Sequence, residues 1–182
     1  GDLQRVLADT HVALPAARRL AMLADIARGM ACLAAQRIVH RDLAARNVLL
    51  DAAGTAKVGD FGLSRVIVDA QKMAHYSVAE VGPVKWMAPE ALYKRRFSEA
   101  SDVWSFGVTA YEVLARRPPY AGLSIVDAAT RVVYGEIRLR FPADADAQLR
   151  ALLDACLAYE PDQRPTFARL SARLDAMLPA SD

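Results

Sequence analysis

The run His40-Arg41-Asp42-Leu43-Ala44-Ala45-Arg46-Asn47 is followed, after two short apolar segments, by Asp60-Phe61-Gly62. The segments are Val48-Leu49-Leu50 and Ala56-Lys57-Val58, joined by Asp51-Ala52-Ala53-Gly54-Thr55. Two apolar runs separated by a connection containing Asp and Gly read as a β-hairpin. A hairpin brings its open ends together, so Asn47 and Asp60 are expected to be neighbours in space. A carboxylate and an amide oxygen on a rigid ribbon suit a hard cation such as Mg²⁺, which combines a few protein oxygens with those of water or phosphate. Asp42 adds a second carboxylate to the same region.

These residues resemble the catalytic loop and metal-binding motif of protein kinases. The Ala44-Ala45-Arg46 form is similar to that of receptor-type tyrosine kinases; serine/threonine kinases usually carry Lys at the position of Ala44. The resemblance continues, in the family's order, through Pro83-Val84-Lys85-Trp86-Met87-Ala88-Pro89-Glu90, Ser101-Asp102-Val103-Trp104-Ser105-Phe106-Gly107 and Pro161-Asp162-Gln163-Arg164-Pro165-Thr166-Phe167. It implies a mainly α fold, a kinase C-terminal lobe in which a helical bundle carries one small hairpin bearing the catalytic and metal-binding loops. A kinase domain also has a glycine-rich loop over the phosphates, a strand lysine and a helix glutamate. No Gly-x-Gly-x-x-Gly occurs here, and the chain opens on a segment similar to the helix after the hinge. Residues 1–182 are thus expected to be a partial kinase domain, with 60–90 as its activation segment and the N-terminal β lobe absent.

The resemblance also implies roles for individual residues. Asp42, near its ordinary pKa, would orient a substrate hydroxyl and accept its proton during transfer from ATP, where positioning and charge stabilisation do most of the work. Asn47 and Asp60 would hold Mg²⁺, and Leu49 would lie beneath the adenine; on pattern alone Leu49 is a strand core residue. Arg46 resembles the arginine that helps hold the substrate phenol in tyrosine kinases. Pro83, standing where serine/threonine kinases have threonine, offers an apolar platform for an aromatic acceptor. Tyr76 is the single tyrosine between Asp60 and Glu90. It reads as a phosphorylation site, with Arg41 and Arg65 as its basic pocket. His40 and Phe61 read as packing residues, Glu90 and Arg164 as a buried ion pair, and Asp102 as the support of the catalytic-loop backbone. Trp86 and Trp104 read as core, and Leu157 replaces a Trp found in many tyrosine kinases. The expected activity is ATP-dependent phosphorylation of protein tyrosine by the intact protein, the 182-residue segment alone being inactive. A serine/threonine or dual-specificity kinase, or a non-catalytic binding module, would be the alternatives.

Composition is consistent with this. The chain is 54% hydrophobic and 24% charged, with a formal charge of +2, which describes an ordinary globular protein and gives no argument for nucleic acid or an anionic membrane. No stretch reaches the roughly 18 uncharged apolar residues of a membrane span. Cys32 and Cys156 both sit in apolar helical patterns and read as buried free thiols, pointing to a reducing compartment, the cytoplasm or the cytoplasmic portion of a receptor.

Periodicity predicts a short helix over 2–8, a long amphipathic one over 15–35 with Pro15 in its first turn, and a brief extended piece at Ile38-Val39. Residues 63–88 read as a long loop. A very apolar, central helix is predicted over 101–115, ended by Pro118-Pro119. Further helices are predicted over 124–134, 144–157 and 166–178, with Ser124 and Thr166 as caps.

Overall fold

Ser98 starts the element that organises the fold. Its hydroxyl accepts the Ser101 amide while the Ser101 side chain accepts the Ser98 amide, a reciprocal capping box that opens helix α4, Glu99–Ala115. The helix starts two residues before the predicted boundary because the cap, not the first apolar residue, decides it. Arg116 closes it in the left-handed region, at φ 52°. Thirteen of the helix's 17 residues are buried. Its apolar positions serve two cores at once. Val103, Phe106, Ala110 and Val113 join one cluster with Leu23, Met30, Leu153, Phe167 and Leu170. Trp104 and Val108 join a second with Met87, Tyr120, Val132 and Leu157.

In this computed structural model, residues 1–60, 65–66 and 84–179 are described, the side chains of 65–66 excepted. The elements follow in the order α1 (Leu3–Ala8), α2 (Ala16–Ala35), β1 (Ile38–Val39), β2 (Val48–Leu50), β3 (Ala56–Val58), β4 (Arg65–Val66), α3 (Pro89–Lys94), α4, α5 (Ile125–Val133), α6 (Ala147–Cys156) and α7 (Phe167–Asp175). The mainly helical architecture with one small hairpin matches the predicted fold class. β2 and β3 are antiparallel, with Val48 opposite Val58 and Leu50 opposite Ala56. β1 pairs with β4, so the predicted loop over 63–88 contains a short strand, and a 3-10 turn at Val84–Trp86 lies near its end. Residues 61–64 and 67–83, among them Phe61, Tyr76 and Pro83, lie outside the described residues.

Several boundaries differ from expectation. Pro15 is the N-cap of α2, in extended conformation, rather than a residue of its first turn. α6 begins at Ala147, where Asp146 accepts the amides of Gln148 and Leu149, and α7 ends at Asp175. α3 was not anticipated; its signal is Pro89 at the first helical position. Cys32 is exposed, not buried. The buried side of α2 is defined by Leu23, Ile26, Ala27 and Met30, and at 100° per residue position 32 falls on the far side. Cys156 is buried, and burial pushes its thiol pKa up. Leu49 is 53% exposed and is no core residue. Strand alternation buries Val48 instead, since one face of the hairpin is turned away from the helices.

The hairpin is held to the bundle at its turn and its strand. The Thr55 amide donates to Asp51 Oδ1 at 2.9 Å, shaping the turn, and the Ala56 amide donates to Asp25 Oδ2 of α2 at 2.9 Å. Gly54 sits at φ 77°, a conformation that favours glycine. Two buried polar contacts then fix the remaining segments on α4. Asp102, 2% exposed, accepts the His40 amide at 2.7 Å and the Arg41 amide at 2.9 Å. Arg164 binds both carboxylate oxygens of Glu90, at 2.7 and 2.9 Å, and also donates to the carbonyls of Ala100, Ala158 and Tyr159.

Those contacts generate two expectations. Arg164→Ala strands the Glu90 carboxylate and three carbonyls, so it should cost about 3–5 kcal/mol in urea unfolding. Glu90→Ala should cost less, because the guanidinium keeps its carbonyl partners; equal costs would contradict this. Burial pushes the Asp102 pKa up from 3.8 to about 7, against the opposing pull of its two amide donors. A carboxyl with a raised native pKa binds more protons folded than unfolded between those values, so its contribution to stability falls as pH rises from about 4 to about 7. The stability difference between the wild type and Asp102→Asn should therefore shift in the variant's favour over that range. A difference independent of pH would refute it.

Candidate active site

Polar side chains of α4 lie in order beside the loop from His40 to Ala45. Asp102 takes the amides of His40 and Arg41, the Thr109 hydroxyl reaches the Leu43 carbonyl at 3.4 Å, and Glu112 takes the Ala45 amide at 3.1 Å. Leu43, Ala44 and Ala45 are fully buried, whereas the Asp42 side chain keeps 15% of its surface exposed. Arg41 adopts φ 70° and Asp60 φ 54°. Both are non-glycine residues in the left-handed region, a conformation that costs free energy and persists only when neighbours enforce it.

His40 joins the two acidic motifs. It is fully buried; its Nε2 lies 3.0 Å from the Gly59 carbonyl, and its Nδ1 accepts the Asp42 amide at 3.3 Å. A neutral ring protonated on Nε2 satisfies both contacts. Burial lowers its pKa, which agrees with that neutral form. The ring is thus a strut between residues 42 and 59, with both nitrogens engaged, and is not placed as a base.

Asn47 is 7% exposed and sits at the end of a 3-10 turn, Ala45–Asn47. Its Nδ2 donates to the Asp42 carbonyl at 2.7 Å and to Asp42 Oδ2 at 2.9 Å. With the nitrogen directed at Asp42, the amide oxygen is the atom left to act as a ligand. The Gly59 amide donates to the Asn47 carbonyl at 2.8 Å, which extends the ladder of β2 and β3 by one step and sets Asp60 beside it. The three oxygen-bearing residues are accordingly gathered at the open end of the hairpin. Among the described residues no group of three His, Cys, Asp or Glu could hold a metal by itself. A cation here would combine Asn47 and Asp60 with ligand oxygens, a hard donor set that fits Mg²⁺.

Arg46 forms an ion pair with Asp42 Oδ1, and its guanidinium lies 5.2 Å from the centre of the Trp86 ring. The Asp42 pKa is raised, not ordinary as the motif suggested. Partial burial is the first cause; Arg46, Asn47 and His40 oppose it, and Asp60 adds to it. Arg41 is buried, with its guanidinium 4.3 Å from the Phe97 ring centre. The backbone of Arg65 is in β4. Leu49 is exposed on the hairpin beside the start of the chain: Asp2 bridges to it, and the Leu50 amide donates to the Gly1 carbonyl at 2.8 Å.

Two residues carry more than their sequence signal conveyed. Trp86, read as core, is half-buried and donates its indole N–H to Glu112 Oε2 at 2.7 Å. Glu112 was not singled out at all, although a lone carboxylate near the end of a very apolar helix was the available sign.

The sequence model of the protein tyrosine and serine/threonine kinase family matches residues 1–174. Ephrin type-A receptor 1 of Mus musculus is 40% identical over 179 residues, covering 98% of this chain and 18% of the relative. Protein-tyrosine kinase 6 of Homo sapiens is 38% identical over 179 residues, covering 97% of this chain and 39% of the relative. Tyrosine-protein kinase Srms of Homo sapiens is 44% identical over 154 residues, covering 84% of this chain and 31% of the relative. The chain therefore spans well under half the length of these relatives. Kinases of this family generally use ATP and Mg²⁺ and act on protein substrates. With its family match nearly end to end and relatives 38–44% identical to it, the chain belongs to the protein tyrosine and serine/threonine kinase family.

Proposed function

We propose that the full-length protein transfers the γ-phosphoryl group of ATP to tyrosine in protein substrates through Asp42, Arg46, Asn47 and Asp60. The observation carrying this reading is the junction at Asp42, where Asn47 binds the backbone and one carboxylate oxygen while Arg46 binds the other. That arrangement supports a carboxylate held in one rotamer, facing the acceptor hydroxyl. As the tyrosine oxygen bonds to phosphorus and the bond to the ADP oxygen breaks, the phenolic proton passes to Asp42. A raised pKa suits that role, since a carboxylate closer to the operating pH is the better proton acceptor.

Asn47, through its amide oxygen, and Asp60 would hold Mg²⁺, which when bound neutralises charge on the phosphates. Leu49, apolar and exposed, is the candidate floor for the adenine. Arg46, with Pro83, would hold the phenol ring. Tyr76 would be phosphorylated, adding roughly −2 charge. Arg65 and Arg41 would answer that charge, Arg41 by leaving the Phe97 face for a stronger partner. Residues 60–90 would form the activation segment of the kinase domain. Among the described residues no helix is long and apolar enough to cross a membrane, and a cytoplasmic setting, free or as part of a receptor, suits ATP chemistry.

Asp42→Asn in the full-length protein should lower kcat by about 10²–10⁴-fold, the usual range for general acid–base groups. The acidic limb of the wild-type kcat profile should lie above the ordinary aspartate value of 3.8. Retained activity in Asp42→Asn would reject the reading. Separately, Tyr76→Phe should reduce activation by ATP preincubation; an unchanged activation curve would remove Tyr76 from regulation.

A further inference from the structure

We infer that Glu112 is a positioning residue of the phosphoryl-transfer site, a buried carboxylate that holds the catalytic loop and the Val84–Trp86 turn in one register and through them places Arg46. This rests on the kinase reading given above. Glu112 is 5% exposed, and one oxygen, Oε2, accepts both the Trp86 indole N–H at 2.7 Å and the Ala45 amide at 3.1 Å. The donors come from segments far apart in sequence, and neither is a cation. No ion pair holds Glu112 among the described residues.

Its location opposes its charge. Glu112 lies in the last turn of α4, where the exposed carbonyl ends of the helix disfavour an anion. Burial raises its pKa, against the pull of the two donors and of Arg46. Packing alone would be met better by an apolar residue. What the carboxylate adds is a junction. Trp86 is fastened at two points on α4, its indole by Glu112 and its carbonyl by the Ser105 hydroxyl at 2.8 Å. The ring so fixed carries the Arg46 guanidinium, and Arg46 pairs with Asp42. Asn47 and Asp60 have a further anchor that Glu112 does not touch, the hairpin ladder through the Gly59 amide on the Asn47 carbonyl and the His40 contact to Gly59. Disturbing Glu112 should consequently displace the acceptor side of the site while sparing the nucleotide side.

The test is steady-state kinetics on the full-length protein, varying a tyrosine-containing peptide and ATP in turn. Glu112→Ala should raise the peptide KM about tenfold and lower kcat, with the ATP KM changed by less than about twofold. Trp86→Phe, which keeps a ring but lacks the N–H, should shift the same constants, and the double variant should be no worse than Glu112→Ala alone. Glu112→Gln, which retains an acceptor oxygen, should recover most of the loss. Peptide and ATP KM rising together, with Gln as damaging as Ala, would mean a scaffold role and overturn the inference; so would unaltered kinetics in Glu112→Ala and Trp86→Phe. If Glu112→Ala does not fold, Trp86→Phe and Glu112→Gln decide by the same criteria. Asp42→Asn is the control. Its inactivity beside unaltered Glu112 and Trp86 variants sinks this inference alone, whereas its full activity sinks the kinase reading as well.

Discussion

The site depends on one buried carboxylate accepting two consecutive backbone amides. Asp102 binds the N–H groups of His40 and Arg41 from the first turn of α4. The unpaired amides at that end of a helix favour a negative charge, which offsets part of the cost of burial. Directly after these two amides the chain turns at Arg41, which adopts φ 70°. The strain is about 1–3 kcal/mol for a non-glycine residue. Two charge-assisted hydrogen bonds, each worth roughly 1.5–3 kcal/mol, are enough to hold it. Asp42 follows immediately, so its direction is fixed by a contact it does not itself make.

His40 carries that constraint across to the second motif. Its two nitrogens contact the Asp42 amide and the Gly59 carbonyl, so the spacing between the Asp42 loop and the strand leading to Asp60 is set by the width of one imidazole. A charged ring would lose the Asp42 contact, because a protonated Nδ1 cannot accept a hydrogen bond. Burial, by lowering the pKa, keeps the strut intact at neutral pH. The same low-polarity surroundings raise Asp42 and Glu112. One physical cause, burial, therefore both keeps the His40 strut neutral and raises the Asp42 carboxyl.

How far the sequence foretold this varied with the kind of signal. The helices at α5 and α7 were legible because apolar spacing and Ser or Thr caps agreed, α2 and α4 by their apolar character and spacing, and the hairpin because turn residues separated two apolar runs. Glu90 and Arg164 are named by motif, and the structure sets them 2.7 Å apart. Leu49 and Cys32 were misread for a shared reason. Apolar character marks a residue that can be buried, while the face it occupies is decided by neighbours that local pattern does not contain. Glu112 was missed for the converse reason. Polar residues at helical spacing normally mark the side facing water, but Asp102, Ser105, Thr109 and Glu112 are all buried. Their stripe faces a loop whose own backbone supplies the donors and acceptors.

That stripe also accounts for the shape of the loop. From Asp102 to Glu112 the helix rises about 15 Å. The loop from His40 to Ala45 runs in the same direction, and five residues can span at most about 17 Å. Contacts at both ends therefore limit how far the loop can shift, while its backbone stays bent, with Arg41 at φ 70° and a 3-10 turn beginning at Ala45. Held in this way, Leu43 enters the core while Asp42 stays partly exposed. Neither end contact could do this alone. With Asp102 only, the loop could slacken beyond Arg41 and let Asp42 turn inward; with Glu112 only, its start would be free to slide. Asp42 is aimed because a rigid helix holds a short, bent chain at two places on either side of it.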